Sequence, residues 1–336
     1  MKREASFWKK SDNKQVICNL CNHKCKISNN RQGICNVRKN ENGKLYTLIY
    51  NSVSSVAADP IEKKPLFHFY PGTNALSLGT IGCNFQCSYC QNYAISTADT
   101  NFSYLREISA EKSVNLAKEY NCQGIAYTYN EPTIWHEYCY DSAKLAKKAG
   151  LYTVYVSNGY MSKDSLKEIS SVLDAINIDV KAFTDDFYKK LCKASLKPVL
   201  ENCILAKKLG IHLELTYLII PGYNDSAEEL KSFCNWIVEK LDSKTPIHFS
   251  RFHPDFNLRD VYPTPMETMF NAYKIAKDSG IVFSYLGNVA HGDYENTICP
   301  NCGNICIERV GYEIYLKGVK NNKCAKCSAD LNISIK

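Results

Sequence analysis

The segment Gly82-Cys83-Asn84-Phe85-Gln86-Cys87-Ser88-Tyr89-Cys90-Gln91-Asn92 carries three cysteines in the spacing Cys-x3-Cys-x2-Cys. It directly follows a β-rich run at 75–81. Three thiolates on so short a loop can hold three corners of an iron–sulfur cluster and leave one iron open. A structural zinc ion requires four protein ligands, and neither a fourth cysteine nor a histidine follows in this loop. The spacing therefore favours an iron–sulfur cluster over zinc.

Around this loop, residues 75–286 alternate short β-rich runs with longer helix-like runs in six repeated units. The pattern predicts strands at 75–81, 124–128, 152–157, 175–180, 212–220 and 247–252, with a further strand at 281–286. It predicts helices near 110–120, 133–149, 164–171, 198–209, 227–241 and 265–279. Repeated βα units form a parallel sheet, but periodicity alone does not separate an open doubly wound sheet from a partial barrel.

Polar residues and glycines follow the predicted strands, where parallel α/β folds place their chemistry. These segments are 83–90, 129–131, 157–159, 179–181, 221–224 and 253–255. Because the carboxyl ends of parallel strands meet at one edge of a sheet, we expect these segments to surround a common site.

The cysteine loop resembles the signature of the radical S-adenosylmethionine (SAM) superfamily, including an aromatic residue, Tyr89, before Cys90. The resemblance implies an α/β fold built as a partial (βα)6 TIM-like barrel. It implies a [4Fe–4S] cluster on Cys83, Cys87 and Cys90, with SAM bound to the open iron. Reduction of SAM by such a cluster yields a 5′-deoxyadenosyl radical that abstracts hydrogen from a substrate. The implied reductant is of the flavodoxin or ferredoxin type.

The same resemblance implies SAM-binding residues at other strand ends. Asn130 and Glu131 fall where the family has a Gly-Gly-Glu-Pro motif that binds the SAM amino group, although both glycines are replaced here. Further positions similar to those of glycyl-radical activating enzymes are Ser157, Asn158, Asp179, Lys181 and His253, and Tyr89 lies within the cluster loop itself. Taken singly, Asp179 and Lys181 are equally explained as an exposed ion pair, and an isolated histidine is often structural.

The C-terminal residues 287–336 contain two Cys-x2-Cys pairs, Cys299 with Cys302 and Cys324 with Cys327, separated by a β-rich stretch at 305–319. This arrangement is typical of a zinc ribbon, in which four thiolates close a tetrahedral site. Four cysteines also suit an auxiliary iron–sulfur cluster, so that alternative stays open beside zinc.

The N-terminal residues 1–74 contain a second group of four cysteines, Cys18, Cys21, Cys25 and Cys35. Few apolar residues surround them, which indicates a small knuckle that folds around a metal. Spacing does not decide between zinc, slightly favoured here, and an auxiliary cluster with an electron route to the barrel. The segment is also basic, with 13 Lys and Arg against 5 Asp and Glu. Such an excess is typical of a surface that contacts nucleic acid or an acidic partner, or simply of a solvated surface.

Residues 59–72 lead into the first strand with Pro and Gly spacing that predicts an irregular loop with exposed charges. Together with both cysteine-rich ends and the Thr-Tyr-Asn-Glu-Pro segment at 128–132, the chain resembles the radical SAM enzymes of the AmmeMemoRadiSam system over nearly its whole length. These are similar to pyruvate formate-lyase activating enzymes in the barrel. The resemblance implies an association with AMMECR1-type and Memo-type proteins.

Composition narrows the remaining choices. Seventeen cysteines among 336 residues exceed what an ordinary cytosolic enzyme carries, and no apolar leader or membrane-length run is present, so we expect a cytoplasmic metalloprotein with no membrane contact. The flanking elements favour a macromolecular substrate, a protein or an RNA. Two alternatives remain: an activase of a glycyl-radical enzyme, and a non-catalytic iron–sulfur and zinc module that binds RNA or protein.

Overall fold

The computed structural model describes residues 2–101, 103–289 and 292–335. Its centre is an eight-stranded sheet in which seven strands run parallel and lie side by side in chain order. The seven parallel strands are β1 (Asn74–Gly79), β2 (Gly124–Tyr127), β3 (Tyr152–Ser157), β4 (Ala175–Asp179), β5 (His212–Ile219), β6 (Ile247–Arg251) and β7 (Ser284–Gly287). The eighth strand, Ser55–Pro60, pairs antiparallel with β1 at the edge of the sheet.

Six helices connect the parallel strands. They are α1 (Ala110–Glu119), α2 (His136–Lys148), α3 (Lys163–Ser170), α4 (Leu196–Lys208), α5 (Ala227–Lys240) and α6 (Met266–Asp278). Three of them begin at a serine whose hydroxyl accepts a backbone N–H of the first turn, namely Ser109, Ser162 and Ser226. The repeated βα units predicted from the sequence are therefore confirmed.

The strands of the sheet are buried almost throughout, because helices cover one face and the strands curl around an internal cavity on the other. Among the described residues, β7 and the edge strand Ser55–Pro60 do not pair with each other, so the sheet is open on one side. A curved, open sheet of six βα units is the architecture that the resemblance implied.

Two predicted elements begin three residues later in the structure than the sequence predicts. The helix expected at 133–149 is divided, because a 3-10 turn at Pro132–Trp135 precedes α2. Glu131 caps that turn by accepting the backbone N–H of Thr133 at 3.0 Å. The last strand was expected from residue 281 but begins at Ser284.

The segment before β1 is more ordered than the sequence predicts. Ser55–Pro60 is a strand of the central sheet, and a 3-10 turn at Ile61–Lys63 follows it. The expected exposed charges are only partly correct. Lys63 is half exposed, but Lys64 is buried, and both lysines pair with Asp59 at 3.0 and 2.8 Å. The prediction of an irregular loop with two exposed charges is therefore wrong for this part of the segment.

Small antiparallel elements flank the barrel at both ends. The N-terminal ones are Arg3–Glu4, Trp8–Lys10, Val16–Cys18, Lys26–Ile27, Arg38–Glu41, Lys44–Thr47 and Ser52–Val53, the last paired with Arg106–Glu107. The C-terminal ones are Thr297–Ile298, Ile305–Val310, Glu313–Tyr315, Val319–Lys320 and Lys323–Cys324. Short helical turns complete the chain at Tyr93–Ser96, Asp185–Phe187, Tyr188–Cys192 and Gly292–Glu295.

Each flanking element is fastened to the barrel by specific contacts. In the C-terminal element, the guanidinium Nη2 of Arg309 donates to the carbonyl of Phe67 at 2.8 Å. In the N-terminal element, the carbonyl of Leu20 accepts the backbone N–H of Ser162 at 2.9 Å. No described helix combines the length and the hydropathy needed to cross a membrane.

Candidate active site and flanking metal sites

A cavity of about 600 Å³ lies at the carboxyl ends of the parallel strands. Side chains from β3 through β7 line it, and so do the cysteine loop and part of the C-terminal element. The sequence-predicted residues that line it are Cys83, Cys87, Tyr89, Cys90, Asn130, Glu131, Ser157, Asn158, Asp179 and Lys181. The structure thus brings these residues together around one space, and of the residues predicted for the cluster and SAM only His253 falls outside the described lining.

The cysteine loop begins at a position that only glycine can occupy. Gly82 has φ +81°, and a Cβ there would lie 2.6 Å from the carbonyl oxygen of Cys35 and 2.8 Å from Val37. Further along, the backbone N–H groups of Gln86 and Ser88 donate to the carbonyls that end the Tyr188–Cys192 turn, at 3.0 Å each. The loop is therefore held from both sides with its three thiols facing the cavity.

The electrostatic environment keeps these thiols protonated unless a cationic group binds them. Burial raises the pKa of Cys83 well above its ordinary value, and burial also raises the pKa of Cys90. A hydrogen bond to Cys192, together with burial, raises the pKa of Cys87. Cysteines bind metals as thiolates, so binding of a positively charged metal group is what would deprotonate these three thiols.

Asn130 supports the cysteine loop from β2. Its Oδ1 accepts the backbone N–H of Thr80 at 3.0 Å, and its Nδ2 donates to the carbonyl of Gly82 at 2.8 Å. Both polar atoms of the Asn130 amide thus form hydrogen bonds with the backbone that enters the loop. This geometry makes Asn130 a positioning residue at a strand end where the sequence predicted a SAM contact.

Glu131 is buried and linked to the end of β3. Its Oε1 accepts the hydroxyl of Ser157 at 2.8 Å, and its Oε2 accepts the backbone N–H of Asn158 at 2.8 Å. The amide of Asn158 in turn donates to Oδ1 of Asn84 at 2.7 Å, next to the first cysteine. Burial raises the pKa of Glu131. The carboxylate therefore fixes the β2 and β3 ends against each other.

Asp179 and Lys181 form an ion pair of 2.7 Å at the end of β4. Their side chains are 29 and 17% exposed and face the cavity, so the pair is not the solvent-exposed one of the alternative interpretation. Although burial opposes it, the paired carboxylate of Asp179 raises the pKa of Lys181. Lys181 thus places its ammonium group beside the cysteine loop.

Tyr89 is buried behind the loop, and its hydroxyl lies 3.3 Å from Sγ of Cys192. Cys192 is a contact that the sequence did not reveal, because it is one of five isolated cysteines that carry no motif. The other four, Cys122, Cys139, Cys203 and Cys234, are buried as expected of small apolar side chains.

His253 does not belong to the described residues that line the cavity. Its ring is exposed, and Nδ1 lies 3.1 Å from the carbonyl of Pro254. A contact between His253 and SAM stays a prediction that this geometry does not support. His248, five residues earlier on β6, lines the cavity instead.

A buried polar network reaches the cavity through His248, and the sequence analysis missed it. Glu214 is completely buried on β5 and accepts His248 Nε2 at 2.7 Å. The same carboxylate accepts the backbone N–H groups of Phe67 and His68 at 3.0 and 2.7 Å. Against the cost of burial, His212 and His248 hold the pKa of Glu214 well below its usual range. The available signal was a carboxylate within an otherwise apolar strand pattern.

The C-terminal element contributes to the cavity wall through Arg309, Gly311 and Tyr312. Its four cysteine sulfurs all lie within 4.8 Å of one another. The sulfurs of Cys299 and Cys327 are 3.4 Å apart, and those of Cys302 and Cys324 are 3.7 Å apart. A tetrahedral ion with bonds of about 2.3 Å places its thiolates about 3.8 Å apart, so this group fits one metal ion. Cys306 is buried beside it as a spare thiol.

The N-terminal cysteines also converge. Cys18, Cys21, Cys25 and Cys35 line one small internal cavity. Among the residues described, however, their sulfurs do not meet the 4.8 Å spacing that the C-terminal four satisfy. The two groups of four are therefore different in geometry.

Comparison with known proteins agrees with this site. Residues 78–234 match the model of the radical SAM superfamily. An uncharacterised protein of Methanocaldococcus jannaschii is 46% identical over 98% of this chain and 99% of its own length. The pyruvate formate-lyase-activating enzyme of Clostridium pasteurianum is 26% identical over 59% of this chain and 87% of that protein.

Among solved structures, a radical SAM methyltransferase from Sphaerobacter thermophilus aligns with 70% of this chain and 71% of its own, at 16% identity and a TM-score of 0.52. That likeness concerns the fold. The chain belongs to the radical SAM superfamily and is related to the pyruvate formate-lyase and glycyl-radical activating enzymes. It is a radical SAM enzyme, so the alternative of a non-catalytic module is set aside.

Proposed function

We propose that Cys83, Cys87 and Cys90 hold a [4Fe–4S] cluster with one open iron and that SAM binds in the adjoining cavity. The observation that carries this proposal is that the three thiols line the same cavity as the polar ends of β2, β3 and β4. The cluster and SAM together supply a 5′-deoxyadenosyl radical for hydrogen abstraction from a substrate.

The residues of the cavity fit this pair of groups. The amide Nδ2 of Asn84 is buried without a hydrogen-bond partner next to Cys83, so it can donate to a cluster sulfur. Lys181 offers a positive charge close to Cys87, which suits a carboxylate or a thiolate-bound cluster. Asp179 offers a carboxylate for a polar part of SAM, and Ser157 and Asn158 line the same cavity while donating to Glu131 and Asn84.

We propose that the substrate is a macromolecule, either a protein or an RNA. We also propose that a one-electron reductant of the flavodoxin or ferredoxin type serves the enzyme. The barrel is open on one side, and the C-terminal element lies beside the cavity, where it can contact a bound chain. Activation of a glycyl-radical enzyme is the second candidate, which the relation to pyruvate formate-lyase-activating enzymes favours.

Two finer assignments are part of the same proposal. The likeness of both cysteine-rich ends to the AmmeMemoRadiSam enzymes makes AMMECR1-type and Memo-type proteins candidate partners. At the C-terminal four cysteines we propose zinc, because sulfur separations of 3.4 and 3.7 Å suit a single tetrahedral ion.

The proposal is tested by anaerobic reconstitution with iron and sulfide, followed by dithionite and SAM. The wild-type chain should form 5′-deoxyadenosine, whereas the triple variant Cys83→Ala/Cys87→Ala/Cys90→Ala should form none above background. The variant Cys203→Ala is a matched control, since it removes a buried thiol far from any motif. Equal product from wild-type and triple-variant protein contradicts the proposal.

A further inference from the structure

The thiol of Cys90 has a side-chain partner that the proposed function does not use. Its Sγ lies 3.6 Å from the hydroxyl oxygen of Ser96, and both residues line the main cavity. Within the described part of the chain, the hydroxyl of Ser96 makes no other hydrogen bond. The hydroxyl is therefore free to serve the sulfur of Cys90.

The position of Ser96 is fixed by the short helical turn Tyr93–Ser96, which follows the cysteine loop. The backbone N–H of Ser96 donates to the carbonyl of Asn92 at 2.9 Å. The carbonyl of Ile95 accepts the backbone N–H of Gly82, also at 2.9 Å. The turn is thus tied both to the residue that enters the cysteine loop and to the residue that leaves it, and this holds the hydroxyl beside the third cysteine.

The charge of the sulfur decides which of the two groups donates. A thiol can donate its own hydrogen, but a thiolate bound to iron has none and can only accept. The hydroxyl of Ser96 is then the donor, and a hydrogen bond to an anionic acceptor is about twice as strong as one between neutral groups. Burial raises the pKa of Cys90, and the hydrogen bond with Ser96 opposes that rise. The hydroxyl therefore favours the form of Cys90 that binds metal.

Backbone groups also donate to the outer thiols of the loop. The Sγ of Cys83 accepts the backbone N–H of Phe85 at 3.3 Å. The backbone N–H of Asn92 acts on Cys90 in the same direction as Ser96. Substitution of a side chain leaves these backbone groups in place. The hydroxyl of Ser96 is different, because replacement with alanine removes it and replacement with threonine keeps it.

We infer that the hydroxyl of Ser96 is a positioning group that donates a hydrogen bond to the cluster-bound thiolate of Cys90 and raises the reduction potential of the cluster. The inference rests on the proposed [4Fe–4S] site and extends it to a residue outside the cysteine motif. Reduction adds one electron, so a donor to a ligand sulfur stabilises the reduced form more than the oxidised form. Ser96 thereby makes it easier for the reductant to supply the electron that SAM cleavage needs.

The test is a redox titration of the reconstituted chain, followed by electron paramagnetic resonance on the signal that responds to SAM. Ser96→Ala should favour the oxidised form by a further factor of about three to ten, which lowers the midpoint potential by about 30 to 60 mV at about 59 mV per tenfold. Ser96→Thr should restore the wild-type potential. Ser170→Ala is the matched control, since the exposed hydroxyl of Ser170 donates to the carbonyl of Lys167 within α3. Iron content should be the same in all of these proteins.

Two results overturn the inference: a potential of Ser96→Ala equal to that of the wild type, or the same decrease in Ser96→Ala and Ser96→Thr. If Ser96→Ala does not keep its iron, the pair Ser96→Val and Ser96→Thr decides, because both side chains are β-branched and they differ in the hydroxyl. A lower potential in Ser96→Val supports the inference, and equal potentials contradict it. A wild-type chain without any SAM-responsive signal contradicts the proposed function and this inference with it, whereas the other results contradict the inference alone.

Discussion

The barrel loop and the C-terminal element both use cysteine side chains, but they form different kinds of site. In the barrel, three cysteines border a cavity of about 600 Å³ that also holds polar strand ends. In the C-terminal element, four cysteines converge on one point, and their sulfurs lie within 4.8 Å of one another. Three ligands beside open space leave a metal position free for a reactant, whereas four ligands around a point leave none.

This contrast teaches that the number of thiols and the space beside them, and not the presence of cysteine, separate a reactive site from a structural one. The C-terminal element has a small core of its own, including Ile307, Leu331 and Ile333 beside the cysteines. A core so small needs the metal that we propose for this element. The barrel, with its large continuous core, does not.

The largest effect we expect is on SAM cleavage by Cys87→Ala. Changes next to metal ligands cost 10- to 100-fold, so the loss of a ligand should lower 5′-deoxyadenosine formation by more than about 100-fold. The change Cys302→Ala in the other group should lower it by less than about tenfold. Equal losses in the two variants would remove the distinction between a reactive and a structural site.

A second prediction concerns folding. Here we expect the larger effect from the C-terminal variant and the smaller one from the barrel variant. Cys302→Ala should release the zinc ion that we propose for the C-terminal element and unfold the element locally, because structural zinc supplies about 10 kcal/mol or more of binding free energy to such modules. Limited proteolysis should then cut within 297–335. Cys87→Ala should leave the proteolytic pattern of the reconstituted chain unchanged, and cleavage at the C-terminal element in that variant contradicts the account.

The buried carboxylate of Glu214 connects the barrel with the C-terminal element, and replacing it tests how much this connection contributes to stability. Its oxygens hold the backbone of His68, whose Nδ1 lies 3.0 Å from the carbonyl of Leu331 in the C-terminal element. Breaking a buried ion-paired network costs about 3 to 5 kcal/mol, so Glu214→Gln should lower the free energy of unfolding by an amount in that range. Thermal or denaturant unfolding measures it, with Glu228→Gln on the first turn of α5 as a control.

The lowered pKa of Glu214 also predicts how the free energy of unfolding changes with pH. The folded pKa of Glu214 lies below the unfolded value, so its contribution is fully present above about pH 4.5 and is lost as the pH falls toward the folded pKa. The unfolding free energy of the wild-type chain should therefore fall more steeply below pH 4.5 than that of Glu214→Gln. Parallel curves for the two proteins would show that Glu214 is not ionised in the folded state.

The smallest effect we expect is at Lys181. Replacing it with methionine removes the charge beside Cys87 and leaves Asp179 unpaired, which should raise the KM for SAM by about tenfold with a smaller change in kcat. Lys189→Met is a matched control on an exposed ion pair. If Lys181→Met lowers the iron content instead, the residue supports the cluster and not SAM.

The sequence predicted the barrel well because each of its signals is local. The alternating βα runs and the Cys-x3-Cys-x2-Cys loop both depend on residues that are close in the chain. The strand-end rule then placed Asn130, Ser157 and Asp179 beside the cysteines without any knowledge of their contacts.

The remaining parts depend on long-range contacts that local patterns do not encode. Glu214 joins His68 across 146 residues, and Cys192 reaches Tyr89 across 103. The edge strand Ser55–Pro60 was missed because its pairing with β1 crosses a segment rich in Pro and Gly. His253 was predicted from its position after β6, yet its side chain is exposed, contacts the carbonyl of Pro254 and is not among the described residues that line the cavity.

The most direct test of the central claim, one open cluster site at the barrel cysteines, is electron paramagnetic resonance of the reduced protein with and without SAM. Because only an open iron can bind SAM, we predict that SAM changes the signal of one cluster in the wild-type chain. The variant Cys83→Ala/Cys87→Ala/Cys90→Ala should lack both that signal and the response to SAM. A wild-type spectrum unchanged by SAM, or a SAM response that persists in the triple variant, would contradict the account.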